Sequence, residues 1–219
     1  MKILNDFVMT HVDIKGESSL LINVDSGCNL HCYKCYNYED LVEKKEQQNW
    51  VEPEKLYRFL ERDHHMYDNL IISGGEPTLL GHGLLVFCNY IREHFPISIA
   101  LNTNGTNPDI IKELIELELI DKIYMDLKLP IFNFNFNYYK NQCETILGVT
   151  FNEELFRKIE RCLHILYQSS IYFELRTVRY PFLKPNVLRK YTETVKQFNE
   201  LYGKEIVHQF NDFYCPKER

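Results

Sequence analysis

The sequence predicts an α/β fold built on a parallel sheet, and three observations carry that prediction. Short apolar runs recur along the chain, they stop at glycine or polar turns, and segments with helical apolar spacing separate them. A strand followed by a helix and then another strand returns through a right-handed crossover, so repeating that unit lays strands side by side in parallel. Ligands of such sheets collect beyond the carboxyl ends of the strands. Residues just after each apolar run are therefore the candidates for chemistry.

Taken in order, Ser18 to Asp25 (SSLLINVD) reads as a mostly buried strand entering a turn at Ser26-Gly27, and a cysteine-rich loop follows directly. Pro53 sits where a first helical turn tolerates it, with Leu56, Phe59 and Leu60 at helical spacing behind it. Asn69 to Ser73 runs into Gly74-Gly75 as a second strand and turn. Leu84, Phe87, Cys88 and Ile91 make a helical face; Ile97 to Asn102 is a strand ending in TNGT; Pro108 to Leu117 is helical; Lys122 to Asp126 is a strand. Leu155, Phe156, Ile159, Cys162, Leu163 and Leu166 share one face of a later helix. The pattern closes with a strand at Tyr172 to Val178, a helix near Val187 to Leu201 and a strand near Ile206 to Phe210. Two segments break the rhythm. Tyr38 to Val51, with its charge run and Trp50, reads as a solvated surface loop, and Phe132 to Tyr139 (FNFNFNYY) as an exposed strand or ordered loop.

A chain of 219 residues, 45% apolar and 26% charged, suffices for one sizeable core. No internal repeat or Gly/Ser linker divides it, so the expectation is a single domain over 1–219 with the cysteine loop at 26–38. Lys and Arg total 25 against 31 Asp and Glu, for a net charge of −6, which offers no basic field to a phosphate backbone and argues against nucleic acid as a partner. No apolar run approaches the roughly 20 residues that span a bilayer, and nothing at the N-terminus resembles a signal peptide. A cytoplasmic protein without a membrane partner is expected. Seven cysteines in a reducing compartment read as metal ligands or buried thiols more readily than as disulfides.

Cys28, Cys32 and Cys35 form a CxxxCxxC pattern, three thiols that can converge on one inorganic centre without distant residues having to meet. A structural zinc site usually draws four ligands from two CxxC-like pairs, and no second pair exists: Cys88 and Cys162 lie on apolar helix faces, while Cys143 and Cys215 are isolated. Three cysteines on a cluster of four irons leave one iron open for chemistry. A non-catalytic iron- or zinc-binding interaction module stays open on these residues alone.

CxxxCxxC after the first strand, joined to Gly74-Gly75-Glu76-Pro77 after the second, resembles the radical S-adenosylmethionine (SAM) superfamily. That resemblance implies a partial (β/α)6 TIM-type barrel, a [4Fe–4S] cluster on Cys28, Cys32 and Cys35, and S-adenosyl-L-methionine chelated by the open iron, with the GGEP turn at its amino group. Reductive cleavage of SAM would then yield a 5′-deoxyadenosyl radical. GCNLHCYKCYN at 27–37, TNGT after Asn102, MDLK at 125–128, ETILG at 144–148, ELRT at 174–177 and HQF at 208–210 are similar to activating enzymes of glycyl-radical proteins, above all those of anaerobic ribonucleotide reductase. By this likeness Asn102, Asp126, Lys128 and Arg176 would lie along SAM, with Lys128 or Arg176 near its carboxylate and Asp126 near the ribose or amino group. The implied partners are a glycyl-radical enzyme and a low-potential donor such as flavodoxin or ferredoxin, in an anaerobic setting. A radical SAM enzyme acting on a small molecule or peptide, of the deazaguanine synthase or peptide maturase type, is the alternative. Lys34 departs from the superfamily, which often places an aromatic residue before the third cysteine.

Overall fold

The computed structural model describes residues 1–131 and 135–215, with backbone alone at 136 and 137. Its elements in chain order are β1 (Ile3–Leu4), β2 (Val8–Thr10), β3 (Ser19–Val24), β4 (Trp50–Val51), α1 (Glu54–Asp63), β5 (Asn69–Gly74), α2 (His82–His94), β6 (Ser98–Thr103), α3 (Pro108–Glu116), β7 (Lys122–Asp126), α4 (Phe136–Leu147), α5 (Glu153–Gln168), β8 (Tyr172–Arg179), α6 (Pro185–Tyr202) and β9 (Val207–Asp212). The chain divides into two compact units. One comprises Met1–Asn29, Asn37–Thr103 and Asp109–Ile123; the other comprises Leu30–Tyr36, Asn104–Pro108 and Tyr124–Arg219.

In the first unit β3, β5 and β6 pair in parallel, with Ile22 opposite Ile72 and Ile72 opposite Leu101. β5 is buried at almost every position, as befits a strand covered on both faces. Leu56 and Leu60 of α1, and Leu84, Phe87, Cys88 and Ile91 of α2, are buried on the faces that the spacing predicted, with Phe59 of α1 half-buried. Each such side chain contributes about 1.5–3 kcal/mol when fully removed from water. β1 and β2 add to β3 antiparallel, and β4 adds to β1. Tyr38 to Val51 is thus more than a surface loop: Glu39–Glu43 and Lys45–Gln47 form short helical turns, Leu41 is buried, and Trp50–Val51 pairs with Ile3–Leu4.

In the second unit β8 and β9 pair in parallel from Glu174–Val207 to Arg179–Asp212. α5 starts at Asn152, whose side chain accepts the Leu155 N–H at 2.8 Å, with Glu153 and Glu154 in a first turn that favours negative charge. It buries Ile159, Cys162, Leu163 and Leu166 along the expected stripe, whose first members, Leu155 and Phe156, are half-buried. α4 corrects the reading of the aromatic–asparagine run. Asn135 caps a helix by accepting from the Tyr138 N–H at 3.0 Å, so 136–139 is its first turn, while the start of the run at 132–134 lies outside the described residues. The expected α/β class with parallel strands is observed in both units.

Candidate active site

In the first unit the cysteine loop leaves β3 at Val24, and the turn after β5 packs against it backbone to backbone. A Cβ on Gly75 would stand 2.0 Å from the Gly27 carbonyl oxygen, and one on Gly74, at φ 144°, would stand 2.8 Å from the Val24 oxygen. Only glycine lets the two backbones meet so closely. The Glu76 N–H closes the contact, donating to the Gly27 carbonyl at 2.8 Å. The Glu76 carboxylate turns inward: fully buried, its Oε1 accepts from the Thr78 N–H at 3.2 Å and from Thr103 Oγ1 at 2.8 Å. It thereby caps the turn Pro77–Leu80 and ties it to the end of β6. Asn102 is one residue earlier on β6. Its Nδ2 is 3.4 Å from Ser73 Oγ, and its buried Oδ1 has no hydrogen-bond partner.

In the second unit the loop is gripped again. His31 and Tyr33 donate their N–H groups to the carbonyls of Leu147 and Ile146 at 2.9 and 3.0 Å. Gly148 ends α4 in the left-handed region, and a Cβ there would lie 1.6 Å from the His31 oxygen. The ETILG motif therefore does mechanical work on the cysteine loop, a task its sequence did not disclose. Within the second unit Cys32 is buried and Cys35 exposed, with the Cys35 N–H bonded to the Cys32 carbonyl at 3.0 Å. None of the seven cysteines is in a disulfide. Burial pushes the thiols of Cys88 and Cys143 up to about 12, which suits inert core residues.

At the end of β7 and within β8 the same unit gathers Asp126, Lys128 and Arg176 around a small cavity, with Thr177, Tyr180 and Tyr191. Lys128 Nζ donates to Asp126 Oδ2 at 2.8 Å, with the lysine side chain 14% and the aspartate 47% exposed. Burial alone would lower the Lys128 pKa, but the negative charge of Asp126 and the Cys32 sulfur hold it well above the usual lysine range. The Cys32 thiol is pushed up by burial, against the pull of Lys128. The Arg176 guanidinium lies over the Tyr124 ring at 4.0 Å, and the Leu127 N–H donates to the Arg176 carbonyl at 2.7 Å. Thr177 Oγ1 donates to the Leu127 carbonyl at 3.0 Å and stands 3.0 Å from His208 Nε2; Tyr191 donates to the Lys128 carbonyl at 2.9 Å. Desolvation drives the Tyr180 hydroxyl up to about 12 and the His208 imidazole down to about 4.

Cys28, Gly74, Gly75, Glu76, Pro77 and Asn102 thus belong to the first unit, and Cys32, Cys35, Asp126, Lys128 and Arg176 to the second. Thr103, Tyr180 and Tyr191 were missed by sequence reasoning. Thr103 stood inside the TNGT turn, but nothing local marked Tyr180 or Tyr191. The residues present suit the implied cofactors in their chemistry. Thiols form the donor set, the Gly74-Gly75 turn leaves no side chain between the backbone and the loop, and the buried Asn102 Oδ1 is an acceptor awaiting a donor. Among the described residues no group of three or more His, Cys, Asp or Glu side chains is gathered as a single-ion site. Among the described residues, too, no helix is long and apolar enough to cross a membrane.

Comparison with known proteins agrees with this geometry. The Radical SAM superfamily profile matches residues 22–130. A Methanocaldococcus jannaschii protein, provisionally named a glycyl-radical enzyme activating enzyme, is 33% identical over 174 residues, covering 79% of this chain and 66% of its own length. A second protein of that organism with the same kind of name is 28% identical over 144 residues, 65% of this chain and 51% of its own. The chain thus spans from about half to just under two thirds of these relatives. The structure of anSMEcpe with bound AdoMet and a Cp18Cys peptide aligns over 90% of this chain and 50% of its own, at TM-score 0.56 and 21% identity. A radical SAM methyltransferase, TsrM, from Kitasatospora setae, with cobalamin and a [4Fe–4S] cluster bound, aligns over 89% of this chain and 36% of its own, at TM-score 0.59 and 13% identity. At such identities these two likenesses concern the fold, and it is the one that the strand rhythm and the GGEP turn predicted. With its CxxxCxxC loop, its glycine turn and the profile across its first parallel strands, the chain belongs to the radical SAM superfamily.

Proposed function

We propose that the chain, acting as a single radical SAM domain in the cytoplasm, generates a glycyl radical on a partner enzyme of the anaerobic ribonucleotide reductase type. The observation that carries this reading is the tight seat of the Gly74-Gly75 turn on the Gly27-Cys28 backbone, which couples the two motifs of the superfamily. The provisional name of the relative at 33% identity supports the finer assignment. In this reading Cys28, Cys32 and Cys35 would hold a [4Fe–4S] cluster beside which SAM would bind. Fed by a donor such as flavodoxin or ferredoxin, the bound pair supplies one-electron cleavage of a carbon–sulfur bond and hence a hydrogen-abstracting carbon radical.

The protein's own part is positioning. The buried Glu76 carboxylate holds the turn so that backbone carbonyls, rather than that carboxylate, are left for the SAM amino group, and Asn102 Oδ1 adds an acceptor. Lys128 or Arg176 would meet the SAM carboxylate, with Asp126 near the ribose or amino group. The test is anaerobic reconstitution with iron and sulfide, followed by SAM, reductant and a candidate glycyl-radical reductase. The expected result is 5′-deoxyadenosine together with a carbon-radical doublet in electron paramagnetic resonance, and neither in the Cys32→Ala protein. 5′-Deoxyadenosine without the doublet, for every such partner, would transfer the assignment to a small-molecule or peptide substrate.

A further inference from the structure

Three consecutive residues after β9 touch three residues of the cysteine loop. The ring of Phe213 lies 5.8 Å from that of Tyr33, Tyr214 lies 5.7 Å from Tyr36, and Cys215 Sγ lies 3.5 Å from Lys34 Nζ. Tyr33 is also met edge-on by Tyr180 at 6.2 Å and Phe182 at 5.1 Å, and those two rings stack on each other at 5.5 Å. Phe213 closes this box, 5.7 Å from Tyr180. Its root is fixed, because β9 ends in register with β8 and Asp212 pairs with Arg179 at 3.0 Å. The loop needs such support. Lys34, between the second and third cysteines, takes φ 45°, a left-handed conformation that a lysine holds only when its surroundings impose it.

We propose that Phe213–Cys215 is a strap that clamps the cysteine loop, and that Tyr33 is the positioning residue through which it fixes Cys32 and Cys35. Aromatic pairs of this kind add attraction beyond the area they bury. The strap acts on the thiols themselves, so it can be tested without metal; only its effect on iron retention rests on the cluster reading above.

The test uses the full chain, metal-free and reduced, with iodoacetamide and mass spectrometry to follow each cysteine separately. Phe213→Ala should speed alkylation of the buried Cys32 by about tenfold through local opening, while Cys88 in the α2 core stays protected. Phe213→Tyr should restore the slow rate. An unchanged Cys32 rate in folded Phe213→Ala protein overturns the proposal. Where Phe213→Ala also exposes Cys88, and so loosens the whole protein, Tyr214→Ala at an exposed site decides: faster Cys32 alkylation with Cys88 silent supports the strap, and an unchanged rate rejects it. After reconstitution, loss of iron to a chelator should be about tenfold faster in Phe213→Ala than in the parent, following the same opening. Should even the parent take up no iron, the cluster reading fails, and the alkylation rates still judge the strap.

Discussion

The cysteine loop and the network of Asp126, Lys128 and Arg176 are built on different principles. Backbone shape grips the loop at Gly75 against Gly27 and at Gly148 against His31, where no side chain fits. Charge and hydrogen bonds hold the network, with Lys128 on Asp126, Arg176 over Tyr124 and Thr177 on Leu127. The difference teaches what each part tolerates. A shape-based grip is expected to fail with one methyl group, whereas an ion pair with a half-exposed partner such as Asp126 is expected to leave the fold standing when edited.

The sharpest way to break the comparison is at the grips. Gly75→Ala would drive a methyl to 2.0 Å from a backbone oxygen, and Gly148→Ala to 1.6 Å, so neither clash can be relieved by rotating a side chain. Each substitution is expected to destabilise by at least about 4 kcal/mol, seen as a large fall in the urea midpoint or as insoluble protein. Near-parental midpoints would show that the loop is not seated on these glycines.

Lys128→Met tests the other half. Asp126 is about half exposed, so losing its partner should lower stability by only about 1 kcal/mol. Equilibrium dialysis against SAM with reconstituted protein should show a much larger effect, about tenfold weaker binding, because a cation facing a carboxylate makes a charge-assisted bond. A loss of stability with unchanged SAM affinity would confine Lys128 to pairing with Asp126.

His208 offers a pH test of the network's buried side. Thr177 spends its hydroxyl proton on the Leu127 carbonyl, so its oxygen accepts from Nε2–H of neutral His208. Burial lowers this histidine from 6.5 to about 4. The unfolded chain therefore binds the proton first as pH falls. The stabilising effect of the neutral ring is complete above pH 6.5 and drains away toward pH 4, by about 2 kcal/mol once partial exposure is discounted. Urea midpoints at pH 7.5 and 4.5 should draw closer together in His208→Gln. An undiminished pH dependence in that variant would assign the effect to other groups.

These regions were unequally legible in the sequence. β3, β5, β6 and β7 announced themselves because each apolar run ends at a turn; Asp126 and Lys128 lie at the end of β7, whereas Arg176 joins them from inside β8. β1, β2 and β4 have two or three residues each, too few to show a period, and exist because neighbouring strands offer them hydrogen bonds. α4 was hidden by aromatics alternating with asparagines, a two-residue period that its Asn135 cap and tertiary packing override. Glu76 looked like a ligand. The structure turns its carboxylate inward to Thr103, a pairing 27 positions away in sequence that no local pattern could show. Tyr180 and Tyr191 were illegible for the same reason: their importance comes from what folds against them.

The smallest expected effect is the control that gives the largest its meaning. Gly203 ends α6 in the same left-handed conformation in which Gly148 ends α4, with φ 61° against 65°. A Cβ at Gly203, however, would meet nothing within 4 Å. The two positions share a backbone penalty and differ only in the cysteine loop packed on one of them. Gly203→Ala should cost about 1 kcal/mol, the ordinary price of a left-handed alanine. The excess cost of Gly148→Ala over Gly203→Ala then measures the grip on the loop. Equal costs in the two variants would mean that helix capping, and not the seat of the cysteines, is the reason for glycine at 148.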